Sequence, residues 1–147
     1  MSRCLCVLLA LILLGSIASA QEELIVNGGF ERGLDGWNDF WSRANRGSGT
    51  PTNEDAERGE RCLRVEHPGE RDWSVQQSQR VEVAPGEIYE MSAAMRLEGD
   101  GRTTLGVVLR DAQGKTIDWA FGGRSIGASN SWRGVRTRFV IPHNGAT

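Results

Sequence analysis

Beyond residue 20, apolar and polar residues alternate over short runs bounded by Gly, Pro, Asn or Asp, and no window of useful length has the spacing of an amphipathic helix. The pattern predicts strands. It is clearest in "IYEMSAAMRL", where Tyr89, Met91, Ala93, Met95 and Leu97 fall on one side and Glu90, Ser92, Ala94 and Arg96 on the other, because successive side chains of a strand point to opposite faces. Leu24 to Val26 predicts an opening strand, "CLRVEH" a second with Leu63 and Val65 inward, and "WSVQQSQRVEV" a longer third that bends or breaks. "TTLGVVLRD", "KTIDWAF" and "WRGVRTRFVI" follow as further strands. Between them, "APGE" at 84–87 is a Pro-Gly turn and "DAQGK" at 111–115 has the length and glycine of a hairpin loop, so antiparallel pairing is expected. Six or more such strands suggest an all-β fold, a β-sandwich or jelly roll. Residues 42–61, "SRANRGSGTPTNEDAERGER", lack core-forming side chains and are expected to wrap the surface as a loop.

The start of the chain follows another pattern. Arg3 precedes an apolar run from Leu5 to Leu14 and then the small residues Gly15 to Ala20, which reads as a secretory signal peptide over residues 1–20 with cleavage after Ala18-Ser19-Ala20. The run is too short for a bilayer span, which needs about 20 apolar residues. A secreted, extracellular or periplasmic product is expected, and nothing after the leader is apolar enough to hold it in a membrane. Residues 21–147 then form one domain, large enough for a real core. Cys4 and Cys6 leave with the leader, so Cys62 has no internal disulfide partner. Loss of Arg3 takes the formal charge from −2 to −3, and the basic residues are scattered among acids. That distribution argues against nucleic acid as a partner, because a phosphate backbone is bound by a basic stripe.

Motifs of nucleophilic or metal-dependent catalysis are missing: there is no H-E-x-x-H, no G-x-S-x-G and no Cys–His arrangement. His67 and His143 have no partner at ligand spacing and read as surface residues. A glycosidase carboxylate pair remains open, since the separation that defines one is spatial. The five tryptophans are more informative. An indole offers a flat face to the C–H side of a sugar ring, while neighbouring polar groups bond its hydroxyls. Trp37, inside a Gly-rich turn, and Trp132, before a strand, are expected to pack in the core. Trp73, flanked by Arg71, Asp72, Ser74, Gln76 and Gln77, fits a ligand face and a core position equally, and Trp119 shares its strand face with Ile117 and Phe121. Trp41 borders the polar loop as a rim platform or lid. Arg96 and Glu90 would hold sugar hydroxyls bidentately if their face lines a groove, and would be a solvated outer face otherwise.

Taken in order, "LIVNGGFERGLDGW", "RGERCLRVEH", "RDWSVQQSQRVEVAPGEIYEMSAAMR" and "WRGVRTRFVIP" make the chain resemble the carbohydrate-binding modules of the CenC-like group, families four, nine and twenty-two. The resemblance covers nearly all of residues 21–147. It implies a jelly roll of the galactose-binding-like type that binds xylan, β-glucan or a related polysaccharide in a groove on its concave face. By position within these motifs it raises Trp73 and Arg96 as ligand contacts; Gln77, Glu90 and Trp119 remain further candidates on their residue types alone. It also implies a structural calcium ion, held by Glu31 of N-G-x-F-E with Glu57 as a loop partner; oxygen ligands of this kind suit a hard cation.

Members of the group usually end on a strand with an Asp-Asp pair, and this sequence stops at "IPHNGAT" without one. A truncated reading frame, or a partner chain that supplies the closing strand, is the expectation that follows. Such modules are commonly joined to glycoside hydrolases, so a catalytic domain is an expected partner. The expected function is therefore non-catalytic polysaccharide binding, with two alternatives: a fragment or accessory domain of a glycoside hydrolase, and a cell-surface adhesion domain that binds protein.

Overall fold

The computed structural model describes residues 22–69 and 71–143. The leader expected at residues 1–20 lies outside the described residues, as does the end of the chain from 144. Eight strands follow one another: β1 (Trp41–Ser42), β2 (Ser48–Thr52), β3 (Cys62–Glu66), β4 (Trp73–Ser74), β5 (Ile88–Met95), β6 (Thr103–Arg110), β7 (Thr116–Ile126) and β8 (Arg133–Val140). They form four antiparallel pairs, β1–β4, β2–β3, β5–β8 and β6–β7, and there is no helix among the described residues. The fold is all-β, as the alternating pattern predicts.

In β5 the inward set is Tyr89, Met91, Ala93 and Met95, and the ladder to β8 places Phe139, Thr137, Val135 and Arg133 across from them. Tyr89 stacks on Phe139 with ring centroids 6.2 Å apart, and Phe121 of β7 meets Phe139 edge-on at 5.4 Å. With Leu109 and Ile141, which are 5% and 2% exposed, and Val83, these rings form the core between the β5–β8 and β6–β7 layers. That is the packing of a β-sandwich: each antiparallel pair gives one face to the core. Gly122 sits at φ +64°, where a Cβ would lie 2.6 Å from the Phe139 ring. A larger residue there would strain the backbone and push the layers apart.

The turns behave as their residues require. In "DAQGK" the Gly114 N–H donates to the Asp111 carbonyl (2.8 Å), and Asp111 Oδ1 accepts from the backbone of Gln113 and Lys115, closing the β6–β7 hairpin. In "APGE" the Glu87 N–H donates to the Ala84 carbonyl at 3.1 Å.

Three expectations are corrected. Leu24–Val26 is not a strand. Its neighbour Asn27 instead folds the next residues into turns, with Nδ2 donating to the carbonyls of Gly33 and Asp35 (3.0 Å each) and Oδ1 accepting from the Arg32 N–H. Within "WSVQQSQRVEV" only Trp73–Ser74 is a strand, followed by a single bridge from Gln77 to Trp37. The polar segment 42–61 is not all loop: "SGTPT" is β2, and its ladder to β3 runs from Ser48–Glu66 to Thr52–Cys62. Cys62 is unpaired and half-buried, its Sγ 3.5 Å from the Glu54 carbonyl oxygen.

Candidate functional site

The solvent face of β5–β8 is built from alternate residues. Its cross-strand pairs are Ile88–Val140, Glu90–Arg138, Ser92–Arg136 and Ala94–Gly134. Glu90 is the recessed member, with a side chain 18% exposed, and it lies 3.4 Å from Arg136 Nε and 3.4 Å from Arg138 Nη2; both arginine side chains are 72% exposed. At one end Ile88 and Val140 present an open apolar pair. At the other, Ala94 and Gly134 leave a dip, since a Cβ added at Gly134 would meet nothing within 4 Å.

Beyond the dip stands Arg96, which continues the same face. Its guanidinium lies 5.5 Å over the Trp132 ring and contacts Glu98 (3.2 Å) and Asp55 (3.5 Å). Trp132 Nε1 donates to the Asp55 backbone carbonyl at 3.0 Å. One loop residue therefore holds both members of a cation–π pair, an arrangement worth about 0.5–2 kcal/mol according to its desolvation.

Glu90 and Arg96 thus share a face, as the period of two predicts, and the structure adds Ser92, Arg136, Arg138 and Trp132 to them. The signal for the two added arginines was present in "VRTRFV", where Val135, Thr137 and Phe139 turn inward and Arg136 and Arg138 turn out; the register that sets them beside Glu90 is non-local. Trp132 is half-buried, consistent with its expected packing role, yet it edges this face.

The other candidates lie elsewhere. Trp73 is half-buried in β4 with its ring stacked on Phe40 at 6.0 Å. The Gln77 side-chain amide acts as a strand partner for Val26: its Oε1 accepts the Val26 N–H (3.2 Å) and its Nε2 donates to the Val26 carbonyl (3.0 Å). Both ends of the amide are thereby engaged in the scaffold. Trp119 is 72% exposed on β7, in the other layer. Trp41 is 49% exposed with Arg43 5.8 Å over its ring. Trp37 packs on Phe30 (4.8 Å) and donates from Nε1 to the Asn27 carbonyl, which makes it part of the turn. His67 is half-buried, not fully exposed; its ring lies 6.4 Å from Phe40 and its Nε2 is buried without a hydrogen-bond partner.

Glu31 Oε1 accepts the backbone N–H groups of Glu60 (2.9 Å) and Arg61 (3.3 Å). Gly59, at φ +68°, lies so close to this oxygen that a Cβ would overlap it. Glu57 pairs with Arg58 at 3.1 Å. Among the described residues no group of three or more His, Cys, Asp or Glu side chains could hold a metal ion. Glu31 is placed to fasten the 57–61 loop directly.

Where β5 begins, Glu87 Oε2 accepts from the Ala84 N–H (2.8 Å) and from the Tyr89 hydroxyl (2.7 Å). The backbone donor, then the hydroxyl, hold the Glu87 carboxyl below its ordinary range, and the carboxylate pushes the Tyr89 phenol up. A further polar concavity of about 260 Å³ lies on the β2–β3 hairpin, lined by Ser48, Thr50, Thr52, Glu54, Arg64 and Glu66 among others.

A face of this kind, polar groups fixed on rigid strands beside a small-residue dip, can hold a hydroxylated chain without performing chemistry on it. No curated protein and no solved structure matches the chain. A family model does: the one described as a carbohydrate binding domain, of the CBM 4 and 9 type, matches residues 22–147. By that match the chain belongs to the carbohydrate-binding domain family.

Proposed function

We propose that the protein is a secreted, non-catalytic module that binds a polysaccharide, xylan or β-glucan being the expected class, along the solvent face of β5–β8. The observation that carries this reading is the continuous row from Glu90, Ser92, Arg136 and Arg138, past the Ala94–Gly134 dip, to Arg96 against Trp132. Eight-residue strands run roughly 26 Å at about 3.3 Å per residue, long enough for several sugar rings to lie along them. Arginine and carboxylate groups bond vicinal hydroxyls in pairs, and fixed positions on paired strands reduce the ordering cost of binding.

In this reading Glu90 and Arg96 are hydrogen-bonding contacts, with Trp132 as the aromatic edge of the face; the open indole of Trp119 lies on β7, in the other layer, away from it. Trp73, packed on Phe40, and Gln77, bonded to Val26, belong to the scaffold. Calcium at Glu31 and Glu57 is not required for this reading, since Glu31 also fastens its loop by direct hydrogen bonds. The partners are the polymer and a catalytic domain that the module would hold against it.

Affinity electrophoresis through gels containing xylan, β-glucan or mannan tests the reading, with Arg96→Met, Trp119→Ala and Trp73→Ala run alongside. Retardation by one glycan, abolished by Arg96→Met and kept by Trp119→Ala and by Trp73→Ala in a folded protein, is the expected result. A folded protein retarded by none of the three polymers ends it.

A further inference from the structure

Charge is unevenly distributed along the face that lines the proposed glycan site, with the excess of cations at its Glu90 end. At Arg32–Asp35, Arg43–Asp72 and Arg64–Glu54 one arginine meets one carboxylate, and at Arg96 two carboxylates meet one arginine. At Glu90 the ratio is reversed, with two guanidiniums on one acid. The depth of the groups widens the imbalance: the carboxylate is 18% exposed and both arginines are 72% exposed, so a ligand approaching from solvent meets cations first. Each arginine reaches Glu90 through one nitrogen at 3.4 Å, beyond the usual N–H···O range of about 2.7–3.2 Å. Each therefore keeps most of its five N–H donors for another acceptor.

We infer that the polysaccharide bound here carries carboxylates, and that Arg136 and Arg138 recognise its uronic acid residues. The inference rests on the reading of the β5–β8 face as the glycan site and names the class of sugar within it. Two features fit a carboxylate. Its planar oxygens match the guanidinium fork in a bidentate pair, as phosphate oxygens also do. The Ala94–Gly134 dip also lies directly beside the Ser92–Arg136 pair, so a ring seated there would direct an equatorial carboxylate at Arg136 while its hydroxyls meet Ser92. The recessed Glu90 contacts both arginines and so gathers the two guanidiniums on one patch of the face.

The test is affinity electrophoresis of the purified protein through glucuronoxylan and through the same polymer after its uronic carboxyls have been reduced to alcohols, each compared with a glycan-free gel. Retardation by the native polymer should exceed that by the reduced one by about tenfold in apparent affinity, and raised salt should remove the excess. Arg136→Gln/Arg138→Gln should bind both polymers at the weaker level. Arg136→Lys/Arg138→Lys, which keeps the charge and loses the fork, should recover only part of the difference. Near-UV circular dichroism on each variant checks folding, and side chains this exposed are not needed for it. Equal retardation by the two polymers overturns the inference and leaves the glycan-binding reading standing. Retardation by dextran sulfate as strong as by glucuronoxylan overturns carboxylate recognition in favour of a general cationic patch. A folded protein retarded by no polymer overturns both readings.

Discussion

Residues 22–78 and residues 84–143 are built by different means. In the first region four strands of two to five residues carry no fully buried apolar side chain, and Ser42 is its buried residue, with Oγ donating to the Arg46 carbonyl (2.6 Å) and accepting the Arg46 N–H (2.9 Å). Order there comes from single polar contacts: Asn27 across its turns, Gln77 on Val26, Glu31 on the 57–61 loop. In the second region strands of eight to eleven residues close on Leu109, Ile126, Val135 and Ile141. Apolar burial is collective and scales with area, whereas a hydrogen bond adds only about 0.5–1.5 kcal/mol net over its bond to water. The second region should therefore carry the cooperative stability and the first should open locally. The proposed site uses both, since the first region lends Asp55 to the Arg96–Trp132 pair that the second region presents.

The largest effect should come from the shared core. Leu109→Ala, at a side chain packed with Ile141 and 5% exposed, is expected to cost about 2–5 kcal/mol and to lower the midpoint of the whole urea transition. An equal global loss from a polar residue of the first region would break the comparison. Gln77→Ala strips both backbone groups of Val26 of their partners and should cost about 1–2 kcal/mol. Its signature is different: amide exchange should speed up at Val26 and Trp37 while β5–β8 keeps its protection. Exchange that quickens equally in β8 would mean that the two regions unfold as one.

What could be seen in the sequence divides along the same line. Along the middle of β5 and β8 the inward Tyr89, Met91, Ala93, Val135, Thr137 and Phe139 alternate with the polar outward Glu90, Ser92, Arg136 and Arg138, so burial itself writes the period of two there and the faces could be read residue by residue. β2 was invisible because Ser-Gly-Thr-Pro-Thr has no apolar face to announce it; it is a strand because β3 pairs with it. Leu24–Val26 misled in the opposite direction. Its apolar run looks like a strand, yet the backbone groups of Val26 bond a glutamine side chain 51 residues away. Side-chain-to-backbone pairings over such distances leave no local pattern. The same limit hid the candidate site: Arg136 and Arg138 were legible as outward residues, but their meeting with Glu90 depends on the β5–β8 register.

Glu31→Ala should cost less than Gln77→Ala, below about 1 kcal/mol, since Glu31 is exposed and water can replace it at the Glu60 and Arg61 amides. Limited proteolysis should show the change as faster cutting within residues 57–61. Addition of calcium or of a chelator should leave the thermal midpoint of the wild type unchanged. A midpoint that rises with calcium and loses that rise in Glu31→Ala would restore the expected ion and give the first region a collective anchor after all.

The smallest effect lies at the junction of the two regions and sharpens the comparison most finely. Glu87 titrates below its ordinary value of 4.5, through the Ala84 N–H and then the Tyr89 hydroxyl, so the native state favours its ionised form. The resulting stability is present above that ordinary value and is lost as pH falls through the lowered one. Tyr89 titrates above its ordinary value of 10.0, chiefly because its hydroxyl donates to Glu87; its contribution is present below that value and is lost as pH rises through the raised one. One hydrogen bond thus limits the turn at both ends of the pH range. Because the hydroxyl–carboxylate bond itself is exposed to solvent, global stability should barely register either loss. The local report should be plain, because the Gly86 N–H donates to the Ile141 carbonyl and the Ile141 N–H to the Glu87 carbonyl, both at 2.9 Å. Amide exchange at Gly86 and Ile141, corrected for its intrinsic pH dependence, should therefore lose protection on acidification in the wild type. Glu87→Gln should flatten that acid response, and Tyr89→Phe should remove the alkaline one. If acid leaves Gly86 and Ile141 as protected as before, the turn is held by the buried Ile141 side chain alone, and the core reaches back to residue 84 without help from the carboxylate.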